Sequence, residues 1–130
     1  MREWLIAAMF LLLPACLAAR DKPCRSNPMV RGKSFVVHGR LSVYNGSPAA
    51  RIWEIGTHRL LGISEGRFYR EGYANLPESI KVRLDFETDL YGDFRVYPFT
   101  ESKPGVMQLV CIEAVRSLVI RKTPKQDGAG

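Results

Sequence analysis

"HGRLSVYNGSPAARIWEIGTHRLLGI", residues 38–63, reads as strand, tight turn, strand, turn, strand. Extended upstream to "KSFVVHGRLSVY", residues 33–44, it puts Phe35, Val37, Gly39, Leu41 and Val43 on one parity. His38, Arg40, Ser42 and Tyr44 fall on the other. That period of two is the pattern of a half-buried strand. Gly39 on the inner parity marks a bulge or a close crossing of backbones. "NGSP", residues 45–48, is a turn, because Asn and Gly accept positive φ at little steric cost. "RIWEIG", residues 51–56, is the next strand, with Trp53 and Ile55 expected inward. "GTHRLLGI", residues 56–63, is a turn and a third strand. The residues of this stretch serve alternation and turn geometry and leave no reacting group, so scaffold is its expected role.

Further along, residues 64–79 read as loop, since Gly66 and Gly72 break a helix; a short helix fits only within 70–80. "IKVRLDFE", residues 80–87, alternates cleanly, with Val82, Leu84 and Phe86 on one side. "TDLYGD" (88–93) is a turn, "FRVYPF" (94–99) a strand whose Pro98 marks an edge or an end, and "TESKPG" (100–105) a turn. "VMQLVCIEA" (106–114) and "SLVIRK" (117–122) form a closing hairpin, and 123–130 a disordered tail. About seven short strands, with turns every eight to twelve residues or so, predict an all-β domain over 33–122. An antiparallel β-sandwich is the expected architecture, a small barrel the other closure.

The 130 residues leave room for one domain; 46% are apolar and 25% charged, a globular composition. "WLIAAMFLLL", residues 4–13, is an unbroken apolar run with Arg2 before it and Pro14 and small residues after it. It has the length of a signal-peptide core and is too short to span a bilayer. Residues 1–19 are therefore expected to direct export and 20–32 to form an extended arm. Two processing routes fit. "LPAC", residues 13–16, resembles the bacterial lipoprotein box, which would lipidate Cys16; ordinary cleavage would instead fall after Ala18 or Ala19. The expected location is a Gram-negative periplasm or, through a lipid, the outer membrane.

Export also bears on the cysteines. Cys24 and Cys111 remain in the mature domain, and two thiols in an oxidising compartment usually pair. A Cys24–Cys111 bridge would close a loop of 111 − 24 = 87 residues and stabilise the fold by roughly 4–5 kcal/mol on the chain-entropy model; two unpaired thiols, one buried, are the alternative. The formal charge of +6 is spread along the chain with no run of five basic residues, as expected of a solvated basic surface rather than a nucleic-acid site.

The block at 37–63, together with "FRVYPFTESKPGVMQLVCIE" at 94–113, resembles a group of small, exported, uncharacterised proteobacterial proteins. Residues 36–55 are also similar, more distantly, to the opening strands of transthyretin-like sandwiches. The first resemblance implies an exported fold and no activity. It also implies a Cys at position 97, paired with Cys111, where this chain has Tyr97.

Catalytic signatures are missing from the sequence: there is no GxSxG, no HExxH and no phosphate-binding Gly-rich loop before a helix. No metal site or cofactor is expected, since CxxC spacing is absent and His38 and His58 stand in separate segments. Asp85, Glu87, Asp89 and Asp93 read as the outer side of a strand and its loop, with a weak calcium site as the minor option. Arg67, Phe68, Tyr69, Arg70 and Tyr73 form the candidate binding loop, because exposed Tyr and Arg dominate binding hot spots. The expectation is thus a non-enzymatic envelope module that is structural or binds an envelope protein or ligand, meeting membrane only through a lipid anchor. A small periplasmic hydrolase and a secreted inhibitor are the alternatives.

Overall fold

The computed structural model describes residues 24–64 and 75–123. Five strands are present: β1 Phe35–Val43, β2 Ala50–Glu54, β3 Leu60–Ile63, β4 Thr88–Pro98 and β5 Gln108–Lys122. One helical turn, α1 Glu78–Lys81, stands between β3 and β4. The strands close into a barrel in the order β1-β2-β3-β5-β4. All neighbours are antiparallel except β3 and β5, which run parallel from Leu61↔Gln108 to Ile63↔Val110. This connectivity is that of a five-stranded Greek-key barrel of the OB type. The all-β class stands, but the seven-stranded antiparallel sandwich is replaced by a single closed, mixed sheet.

Two differences account for the strand count. The alternating segment 80–87 is α1 followed by turns, not a strand. Both edges of β1 are already occupied, by β2 and β4, so this segment meets no open ladder there. It instead drops Ile80, wholly buried, into the core beside Leu76, while Val82 and Phe86 face solvent at 71% and 54% exposure. The expected closing hairpin is one strand. What looks like its turn is a bulge at Ser117, whose φ is 55°, where the β4–β5 register shifts between Tyr91 and Asp93. Residues 88–93, expected as a turn, form the first half of β4.

The inner parity of β1 is as the sequence predicts: Val37, Gly39 and Leu41 are buried. That of β2 is inverted. Ile52 pairs with Leu41 and is fully buried, whereas Trp53 lies on the outer face and Ile55 is 36% exposed. Cross-strand partners share a face, so β1 dictates which residues of β2 turn inward. Leu41, Ile52, Leu61, Leu90, Phe94 and Val110 fill the barrel with essentially no exposed surface. Each contributes about 1.5–3 kcal/mol of apolar burial.

Gly39 and Gly92 are direct partners across β1 and β4. A Cβ at Gly39 would meet the Ile52 side chain and stand 2.8 Å from the Trp53 carbonyl oxygen. One at Gly92 would stand 2.8 Å from Val115 and 2.9 Å from the Arg116 carbonyl. At both positions the neighbouring backbone leaves no room for a side chain, a role expected of glycine in a strand.

Cys24, in a single 3₁₀ turn, is disulfide-bonded to Cys111 of β5. The bridge packs with Phe99, and with Tyr97, which sits directly across the ladder from Cys111. The Arg31 amide donates to the Pro98 carbonyl at 2.8 Å, so residues 24–31 lie along the end of β4.

Candidate binding face

The outer side of β1 carries Arg40, whose cross-strand partners are Trp53 on β2 and Tyr91 on β4. Its guanidinium lies 5.0 Å from the Trp53 ring centroid, and Nη2 reaches the Tyr44 hydroxyl at 3.5 Å. The Tyr44 hydrogen bond, opposed by partial burial and helped by Tyr91 and Asp89, raises the Arg40 pKa above its ordinary value. The Nε of Arg40 is buried and makes no hydrogen bond. A buried donor without a partner costs about 1–3 kcal/mol.

The same arrangement repeats on either side. Arg51 of β2 stacks over Tyr44 at 5.0 Å and donates from Nε to the Pro48 carbonyl at 2.8 Å. Arg121 of β5 stands over Tyr91 at 5.8 Å. Such cation–π contacts contribute about 0.5–1 kcal/mol each at exposed sites. Between Arg51 and Arg121 lies Asp89, which accepts from the Ser42 hydroxyl at 2.6 Å and from Thr123 at 3.1 Å. One turn of the pleat further on, His38 Nδ1 is 2.7 Å from Asp93, and Arg116 is the β5 partner of Asp93. Both His38 and Asp93 are open to solvent, with side-chain exposures of 68% and 42%.

The acidic residues do not converge. Asp85 caps the turn into β4, accepting from Thr88 Oγ1 at 2.7 Å and the Glu87 amide at 2.8 Å. These bonds, the Thr88 hydroxyl first, hold its carboxyl below the usual range. Asp89 and Asp93 are each engaged by other donors, and among the described residues no group of His, Cys, Asp and Glu could hold a metal ion.

OB-type barrels bind ligands over β2–β3 and the loops joining β1–β2 and β4–β5. Here that region is filled from within. Pro48 from one loop and Met107 from the other converge on Gly62, where a Cβ would come within 2.5 Å and 2.8 Å of them. The β4–β5 loop is built on a turn over 103–106, with Gly105 at φ +75° and the Val106 amide 3.2 Å from the Lys103 carbonyl. Open grooves of about 580 and 520 Å³ flank it, sharing Lys103, Val106 and Met107. Arg59 edges the first but is tied to Gln108 at 2.6 Å and Glu54 at 3.5 Å.

Among the residues singled out from sequence, Cys24 and Cys111 are joined. Cys16 and the loop of Arg67, Phe68, Tyr69, Arg70 and Tyr73 lie outside the described residues. Residues 38–63, expected as scaffold, also carry half of the arginine–aromatic face, of which the sequence shows only that Arg40 and Tyr44 share one outward parity. The inverted parity of β2 hides Trp53 from a sequence reading, and Tyr91 and Arg121 lie in segments whose local pattern is that of a turn and of a closing hairpin. Comparison with protein families, curated proteins and solved structures finds no match.

Proposed function

We propose that this protein is an exported, non-enzymatic binding module of a bacterial cell envelope, held there by a lipid on Cys16 or free in the periplasm. The observation that carries the proposal is the outer face, where Arg40, Arg51 and Arg121 are laid over Trp53, Tyr44 and Tyr91 on a closed, disulfide-tied scaffold. Side chains held on paired strands are pre-organised, so a ligand need not bear the entropy of ordering them. The disulfide agrees with an oxidising compartment. The His38–Asp93 pair is what favours a hydrolase instead. It stands in open solvent, where a general base lacks the water-excluded site that strengthens electrostatic catalysis.

Immobilised wild-type protein and an R40A/R51A/R121A variant, both with the disulfide intact, test the proposal when exposed to envelope extract. Retention of a defined component by wild type and its loss in the variant is expected. Equal retention by both would move the binding surface elsewhere. The intact mass from native envelopes tests export: a diacyl or triacyl addition on an N-terminal Cys16, or a start at Ala19 or Arg20, supports it, and an unprocessed 130-residue chain refutes it.

A further inference from the structure

We infer that the arginine–aromatic face binds an acidic polysaccharide, the carboxylates of the glycan lying along Arg40, Arg51 and Arg121. The inference rests on the binding-module function and names the ligand class for the same face.

Register sets the spacing of the three cations. Arg51 pairs with Ser42, and Arg121 pairs with Asp89, whose carboxylate holds the Ser42 hydroxyl. Arg51 and Arg121 therefore sit at the two ends of one row crossing four strands, about 14 Å apart at the usual strand spacing. Arg40 lies two residues from Ser42 along β1, so it stands about 7 Å off the middle of that row. Beyond it, Arg116 pairs with Asp93, and Arg95 pairs with Val36. Five arginines against two aspartates make this side of the barrel cationic, and the charges form a strip rather than a pocket. A strip suits an extended polyanion better than a compact ion.

The state of the rings decides between polyanions. Single-stranded nucleic acid is held by bases stacking on open aromatic faces. Here Trp53, Tyr44 and Tyr91 each already carry a guanidinium over the ring. What the face offers outward is the N–H edges of arginines held flat, a planar fork that matches carboxylate bidentately. A membrane surface would call for an apolar patch among the cations, and the exposed Val36 and Val119 stand apart on different strands.

The test uses the mature, oxidised protein and a polygalacturonate oligomer, with Trp53 fluorescence as the readout, since Trp53 is the one tryptophan outside residues 1–19. Oligodeoxythymidylate and phosphatidylglycerol vesicles are run in parallel. Polygalacturonate should bind, weaken as salt is raised, and lose about tenfold or more in affinity in R51A/R121A, which removes two ion-pairing forks. An R83A/K103A variant removes the same charge elsewhere and should keep affinity within about threefold. Arg121 is exposed, so R121A alone serves as a second variant if the double variant unfolds. Equal losses in both double variants would reduce the effect to net charge and overturn the inference. Tighter binding to the oligonucleotide or the vesicles would overturn it in favour of those ligands. Loss of an envelope component in R40A/R51A/R121A without any polygalacturonate binding would overturn the ligand class while leaving the binding face standing.

Discussion

Removing the Cys24–Cys111 bridge tests how much of the stability of this small barrel comes from its one cross-link. The bridge spans 87 residues, nearly the whole described domain. In the chain-entropy model the denatured ensemble loses about 2.1 + 1.5R ln 87 cal/mol/K on cross-linking, which is about 4.6 kcal/mol at 25 °C. A domain of this size has about 5–15 kcal/mol in total, so a third or more of its stability is at stake. The loss should exceed the entropy figure slightly in C24A/C111A, because both sulfurs are buried against Phe99 and their removal leaves a void. Guanidinium unfolding followed by circular dichroism is the assay, run on the oxidised protein, the same protein with reductant, and C24A/C111A. The midpoint should fall in both bridge-free samples. The m-value should rise, because an untethered unfolded chain exposes more surface. A loss under about 2 kcal/mol with an unchanged m-value would refute the claim that the bridge acts on the unfolded chain.

Gly39→Ala or Gly92→Ala should each destabilise by about 1–3 kcal/mol, since a methyl at either site meets a backbone carbonyl inside 3.0 Å. Thermal denaturation should show a fall of several degrees per kcal/mol, and an unchanged melting temperature would mean the backbone there can relax. Asp85 predicts a pH effect of definite sign. Its carboxyl is held down in the folded state, so the stability it contributes is present above the unfolded-state value and is lost as pH falls through the folded one. Asp85→Asn should therefore destabilise at neutral pH and converge with wild type in strong acid; parallel curves at all pH values would exclude the charge as the cause. Arg40→Met should keep the packing over Trp53 and remove both the charge and the unpartnered Nε. It should leave the melting temperature unchanged or raised while weakening polygalacturonate binding, and a marked loss of stability would show that Arg40 is structural.

The all-β class and much of the strand inventory are legible in local sequence signals. The alternation in 35–43, the turn at 45–48 and the short strands after it are local signals, because period two and tolerance of positive φ are properties of single segments. The pairing of Cys24 with Cys111, which the structure shows, is expected from the cysteine count if the chain is exported. Closure was not legible. Alternation says that a segment has two faces, not that a neighbouring strand has a free edge to receive it, and residues 80–87 alternate yet form the end of α1 and the turns after it. The inward side of β2 depended on its register with β1, and the parallel β3–β5 pair on how the chain returns across the barrel. Tertiary structure alone assembled the candidate face, because Arg40, Arg51 and Arg121 come from three strands far apart in sequence. They become neighbours only when the ladders that align those strands have formed.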